Sequence, residues 1–162
     1  MIEHPAFAVE PWALRETELR LEVLAQSESL FALGNGHIGL RGNLDEGEPA
    51  GLPGTYLNGF HAVRPLPYAE SAYGNPEAGE TVLDVTDGKL LRLLVDDELF
   101  DVRYGELVEH ERVLDFRDGV LRRRVHWRSP AGREVRIAST RIVSLTQRGA
   151  AAILYDVEPV GD

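Results

Sequence analysis

The 162-residue chain contains no cysteine. Disulfide staples, thiolate catalysis and cysteine-based zinc sites are therefore excluded by composition. Lysine is nearly absent as well: Lys89 is the only one, and every other cationic side chain is an arginine. That imbalance reads as the codon bias of a GC-rich genome. Positive charge is scarce overall, with 17 basic against 27 acidic residues and a net charge of −10. Nucleic acids and anionic membranes are bound through a surplus of Lys and Arg, so neither is expected as a partner. No apolar run approaches the ~18 residues that a membrane-spanning helix needs. The first residues, Met1 to Pro5, carry neither a basic segment nor an apolar one, so no signal peptide is read and a cytoplasmic protein is expected. What remains is ordinary: 43% hydrophobic residues are enough for a core.

Helical periodicity is also scarce. Alternating patterns punctuated by turns run through most of the chain. Val82–Thr86, Asp87–Gly88 and Lys89–Val95 read as a hairpin, because Asp-Gly suits a turn whose two central residues need positive φ. Asp118–Gly119 reads the same way between Val113–Arg117 and Val120–Trp127, with Arg117 facing Val120, Phe116 facing Leu121 and Asp115 facing Arg122. Asp96-Asp97-Glu98 is a short polar turn. Residues 134–145 and 150–157 read as two further strands. Residues 17–24 alternate yet contain good helix formers, so they stay ambiguous. Residues 61–80, with Pro65, Pro67, Gly74, Pro76 and Gly79 around His61, Tyr68 and Tyr73, read as a long loop of the kind that covers or binds something. The spacing of strands and turns predicts an all-β fold, an antiparallel β-sandwich with long loops and little helix. The stop just after a strand suggests a fragment with a sheet edge left to pair elsewhere.

The stretch Gly34 to Gly39 fits the G-x-G-x-x-G pattern of a dinucleotide loop. Such a loop needs a helix after its last glycine, because the helix N-terminus holds the pyrophosphate. Gly42, Asn43, Gly47 and Pro49 follow within ten residues and exclude a stable helix. Asn35-Gly36 is instead a strong hairpin signal. Counting outward, Gly34 faces His37, Leu33 faces Ile38, Ala32 faces Gly39 and Phe31 faces Leu40. Leu33, Ile38, Phe31 and Leu40 then share a core face, while Gly34, Ala32 and Gly39 leave the other face bare for a close approach. Asp45, Glu46 and Glu48 read as solvated loop carboxylates, since chance pairs of acids are common in so acidic a chain. The five histidines show no metal-binding spacing, His110-Glu111-Arg112 is a strand segment with alternating faces, and no Ser stands in G-x-S-x-G. From the residues alone no active site emerges. A buried Arg41 would need a carboxylate or a cluster of carbonyls.

The segment Glu28 to Asn43 closely resembles a segment near the N-terminus of glycoside hydrolase family 65, which includes maltose, trehalose, kojibiose and nigerose phosphorylases. Gly54–Gly59, Tyr73–Pro76, Asp87–Lys89, Val95–Glu98, His110–Arg112 and Ser144–Arg148 continue the resemblance in order, from Trp12 to Pro159. One departure is His37, which stands where an aromatic or larger apolar residue is expected. The resemblance implies an N-terminal β-sandwich of the supersandwich type, of which residues 1–162 are a partial or trimmed domain. In the family an (α/α)₆ catalytic barrel and a small C-terminal domain follow, and both are absent from this chain. It implies a parent enzyme that performs inverting phosphorolysis of an α-glucosyl disaccharide to β-glucose 1-phosphate, a barrel glutamate protonating the leaving oxygen while phosphate attacks. The implied partners are the parent's own barrel, an α-glucosyl disaccharide and a second copy in a homodimer. No cofactor or metal is expected, and inorganic phosphate, the parent's co-substrate, would bind outside this chain. The fragment itself is expected to be inactive, with no catalytic residue. Arg41, Asn43, Tyr56 and Asn58, around the glycine-rich strands, are the candidate sugar-contacting residues. Alternatives are an independent carbohydrate-binding module, a dimerisation scaffold, or a trehalase-like hydrolase as the parent.

Overall fold

The computed structural model describes residues 5–67 and 73–161. Two short strands, β1 (Phe7–Glu10) and β2 (Ala13–Glu16), open the chain. A 3₁₀ turn (Leu21–Val23) and helix α1 (Leu24–Leu30) follow, which resolves the ambiguity of residues 17–24 in favour of helix from Leu21 onward. The remainder is strand and loop: β3 (Leu33–Gly34), β4 (Ile38–Leu40), β5 (Thr55–Pro65), β6 (Ala78–Asp84), β7 (Leu94–Val95), β8 (Glu98–Leu99), β9 (Glu106–Asp115), β10 (Val120–Arg128), β11 (Glu134–Val143) and β12 (Ala151–Val160). They form a six-stranded antiparallel sheet in the order β1-β2-β9-β10-β11-β12 and a four-stranded sheet β3-β4-β5-β6, with β7 and β8 paired apart. The expected antiparallel β fold with one short helix is what forms.

Alternation on the long strands decides which face is buried. On β10, Leu121, Arg123, Val125 and Trp127 point inward, while Arg122, Arg124, His126 and Arg128 point out. β11 buries Val135, Ile137, Ser139, Arg141 and Val143 in the same phase. One end of this face packs Phe100, Val125, Trp127, Val135 and Ile137. The Phe100 and Trp127 rings meet edge to face at 5.4 Å, and the indole N–H donates to the Tyr104 carbonyl at 2.6 Å. At the other end Phe31, Leu114 and Leu121 form a second cluster. A third, Ile38, Leu40 and Val143, joins the two sheets.

Several local expectations change. At Asn35-Gly36 the observed pairs are Leu33 with Leu40 and Gly34 with Gly39, two residues away from the two-residue-turn register. At Asp118-Gly119 the pairs are Asp115 with Val120 and Leu114 with Leu121, again a shift of two. The cause is the same in both. The Asn35 Oδ1 accepts the N–H groups of His37 and Ile38, and the Asp115 Oδ1 accepts those of Arg117 and Asp118. An Asx side chain takes donors that a tight turn would satisfy by backbone pairing, and the loop lengthens to three residues between β3 and β4 and four between β9 and β10. A shift of two preserves the faces, so Leu33, Ile38 and Leu40 still point to the core. Asp115 still binds Arg122, at 2.9 Å, now diagonally across the ladder.

Asp87-Gly88 makes no hairpin. Its aspartate turns back to bind Lys89 and Thr55. Leu30 and Phe31 end α1 and do not begin a strand. The expected long loop over residues 61–80 is shorter at both ends, because β5 runs to Pro65 and β6 begins at Ala78. Of its aromatic side chains, His61 lies on β5, Tyr73 is fully exposed, and Tyr68 falls outside the described residues. Among the described residues no helix is long and apolar enough to cross a membrane.

Candidate functional site

Between the two apolar ends of the six-stranded sheet lies a charged band. Arg112 on β9, Arg123 on β10 and Arg141 on β11 point inward and are each no more than 4% exposed. Arg123 sits beside Arg112 in the ladder. Three like charges side by side in a protein interior are tenable only if carboxylates face them. Those carboxylates come from elsewhere in the chain. Arg123 forks onto Glu46 with Nη2 at 2.9 Å and Nη1 at 2.5 Å, and Nη1 also approaches Asp45 at 3.3 Å. Arg141 donates to Asp45 at 2.6 Å, and the Ser139 hydroxyl donates to the other Asp45 oxygen at 2.7 Å. Arg112 donates to both oxygens of Glu16 on β2 at 2.9 Å, and to the carbonyl of Gly42 at 2.7 Å. Ser27 on α1 donates to Glu16, and His110 Nε2 completes that carboxylate at 2.8 Å.

Burial alone would raise the Asp45 carboxyl, but Arg123 and Arg141 outweigh it and hold it below the usual carboxylate range. Glu16 behaves likewise, with the His110 hydrogen bond and the Arg112 charge overcoming burial. Burial pushes His110 below the ordinary histidine value, against the pull of Glu16. Its Nδ1 is buried without a hydrogen-bond partner. The expectation that Asp45 and Glu46 are solvated is therefore corrected: both are buried, because the loop that carries them is pressed onto the sheet.

That loop, residues 41–54, is fastened along its length. The wholly buried Glu28 of α1 accepts the N–H groups of Gly51 and Leu52 at 2.8 and 2.9 Å. Asn43 donates to the Leu52 carbonyl, and the Arg41 N–H donates to the Gly54 carbonyl. Gly51 lies so near α1 that a Cβ would fall 2.6 Å from the Ala25 Cα. Only the tip, around Glu48, Ala50, Leu52 and Pro53, is exposed.

The four candidate residues divide between this loop and β5. Arg41 finds the carbonyl it was expected to need, donating to Ala25 O at 2.7 Å, and lies 3.7 Å from Glu28. Its aliphatic stem fills the space a Cβ on Gly54 would take. Asn43 is buried, its amide committed to Leu52 and its Oδ1 left without a hydrogen-bond partner. Tyr56 pairs with Gly39 and covers that part of the face expected to be bare. Asn58 is exposed, and its backbone N–H donates to the His37 carbonyl. Arg41 and Asn43 thus both serve the 41–54 loop, through different partners, whereas Tyr56 and Asn58 lie on β5.

The charged band itself was missed in the sequence. Its signal is arginine in the inward phase of an alternating strand: Arg123 between Leu121 and Val125, Arg141 beside Val143. A hollow of about 420 Å³ opens between β12 and the smaller sheet, lined by Ile38, Leu40, Leu57, Lys89, Ile153 and Tyr155. Lys89 is buried there and donates to Asp87 at 2.8 Å and Thr55 at 3.0 Å. Burial pushes the Tyr155 hydroxyl up, and its oxygen is buried without a hydrogen-bond partner.

A sequence profile described as the N-terminal domain of glycosyl hydrolase family 65 matches residues 14–162. An uncharacterized glycosyl hydrolase of Mycobacterium tuberculosis (strain ATCC 25618 / H37Rv) is 70% identical over 99% of this chain and 20% of its own length. The alpha,alpha-trehalose phosphorylase of Thermoanaerobacter brockii is 38% identical over 96% of this chain and 21% of its own. A solved structure assigned provisionally as a kojibiose phosphorylase from the human microbiome superposes with a TM-score of 0.84 at 26% identity, over 95% of this chain and 20% of that one. The chain thus spans about a fifth of the length of the relatives it matches.

Proposed function

Because the chain belongs to glycosyl hydrolase family 65 through its N-terminal domain, we propose that it is the non-catalytic β-sandwich of a disaccharide phosphorylase. The parent enzyme performs inverting phosphorolysis of an α-glucosyl disaccharide, releasing β-glucose 1-phosphate. The observation that carries the scaffold role is the commitment of the buried acids. Glu16, Asp45 and Glu46 are each bound to arginines that join loop and α1 to the sheet. Glu16 and Asp45, held ionised by fixed guanidinium groups, are poor proton donors, whereas glycoside cleavage needs an acid that keeps its proton. The acid and the phosphate site then belong to the parent's barrel, and this domain shapes a wall of the cleft. Its Arg41 and Asn43 set the loop that faces substrate, and Tyr56 and Asn58 are the side chains free to touch sugar. The parent works as a homodimer in the cytoplasm and takes phosphate as co-substrate without another cofactor.

The test is phosphate-dependent release of glucose 1-phosphate from trehalose, kojibiose and maltose by the full-length parent. Equal cleavage without phosphate would make the parent a hydrolase. Calorimetric titration of the 162-residue chain with the same sugars checks the scaffold role. Saturable heat there would make it a binding module.

A further inference from the structure

Strands β1 and β2 are joined by a two-residue loop, since Glu10 pairs with Ala13. The loop is Pro11-Trp12, and Trp12 has φ of 69°. Proline followed by a residue of positive φ is the pattern of a type II turn, whose third position suits Gly or Asn. A bulky side chain there is an outlier that its surroundings must hold in place. The Trp12 carbonyl accepts the Phe116 N–H at 2.9 Å, and the Arg117 guanidinium stands 5.5 Å from the centre of the indole. The indole is nonetheless 59% exposed. Glycine would form this turn with less strain, so the turn alone does not account for tryptophan.

The neighbourhood is apolar and open. Phe116, Leu145 and Val9 are all more than half exposed. Phe116 and Leu145 line a second hollow of about 420 Å³, together with Ala32 and Gly34. Among the described residues Arg117 has no carboxylate partner. Exposed Trp and Arg side by side, beside a hollow that can take a side chain, have the composition of a protein-binding anchor. The groups that could instead bind sugar hydroxyls are already occupied. Arg117 covers one side of the indole, and Arg122 binds both Asp115 and Asp118.

We propose that Trp12, with Phe116 and Arg117, is the anchor by which this domain docks onto another part of its own parent polypeptide, at an apolar notch edged by a carboxylate. The occupant follows from length: about four-fifths of each relative lies outside the region this chain matches. The proposal rests on the reading that the chain is one domain of a longer enzyme, but not on which sugar that enzyme cleaves.

Hydroxyl-radical footprinting of the full-length parent tests it. The first basic residue is Arg15, so trypsin releases Trp12 on a peptide separate from Trp127. Trp127, wholly buried, reports on folding in the same sample. In the parent, Trp12 is expected to oxidise as slowly as Trp127, and in the 162-residue chain several-fold faster. Rapid oxidation of Trp12 in a parent whose Trp127 is protected would overturn the proposal. So would protection of Trp12 in the short chain on adding trehalose or maltose, which would make the indole a sugar platform. Trp12→Gly gives an independent sign test. It raises the thermal midpoint of the short chain by relieving the left-handed residue and lowers that of the parent by removing the anchor. Shifts of the same sign in both would refute docking. These readouts report burial and stability, so they hold whether or not the parent proves to be a phosphorylase.

Discussion

Replacing Arg123 by methionine removes the cation that Glu46 binds. Arg123 supplies both of the hydrogen bonds to the Glu46 carboxylate, whereas Asp45 keeps Arg141 and Ser139. Methionine restores much of the volume, so the loss is mainly electrostatic. Breaking one side of a buried ion pair costs about 3–5 kcal/mol, because the other charge stays in the interior unpaired. At about 2–4 °C per kcal/mol for a chain of this size, R123M should lower the thermal midpoint by about 6–20 °C. E46L should cost less, since Arg123 retains Asp45 at 3.3 Å. The double variant R123M/E46L removes both members and leaves no orphan charge. Exchanging a buried pair for apolar groups is near neutral in other folds, so the double should be more stable than R123M alone. Unfolding followed by circular dichroism gives all three free energies and the coupling between the sites. If the double variant loses the sum of the two single losses, the pairing contributes nothing and the electrostatic account of the band is wrong.

Acid should loosen the same band in two stages. The folded-state value of His110 is depressed, so the unfolded chain takes up the proton first, and stability present above about 6.5 is lost as pH falls toward the folded value. Glu16 and Asp45 are depressed too, and their contribution goes below about 4.5 and 3.8 respectively. Thermal midpoints measured from pH 8 to 3 should show both stages, and His110→Gln should remove the first; a flat profile between pH 7 and 5 in the unsubstituted chain would contradict it. Gly51→Ala forces a methyl against the Ala25 backbone and should cost about 1–3 kcal/mol by overpacking, read by urea denaturation. An unchanged midpoint would mean that loop and helix are not in contact. Asn35→Ala removes two accepted bonds within the hairpin and two donated to the Ser144 and Arg148 carbonyls. It should cost about 1–3 kcal/mol and raise amide exchange at both His37 and Gln147, whereas exchange raised only at His37 would mean that Asn35 does not couple the two sheets.

Much of this protein is local in origin. Alternation along 106–115, 120–128 and 134–143 determines the strands and their buried phase, because side chains on a pleated strand must point to opposite faces. The residues after Gly39 exclude a phosphate-binding helix without reference to any neighbour. The Glu28–Asn43 segment, with the motifs that follow it, identifies the family. Turn registers were only half legible: the parity of each hairpin followed from its hydrophobic pattern, but the pairing slid by two where Asn35 and Asp115 took over backbone donors. The tertiary structure alone decided where the charges go. Arg123 and Glu46 are 77 residues apart, and Arg112 and Glu16 are 96 apart, so no local rule pairs them. An acidic residue in a polar loop reads as solvated until the loop is known to lie on a sheet whose inner face carries arginines. Desolvation is a property of the assembled interior, and it turned three loop and strand carboxylates from surface charge into the fastening between loop, helix and sheet.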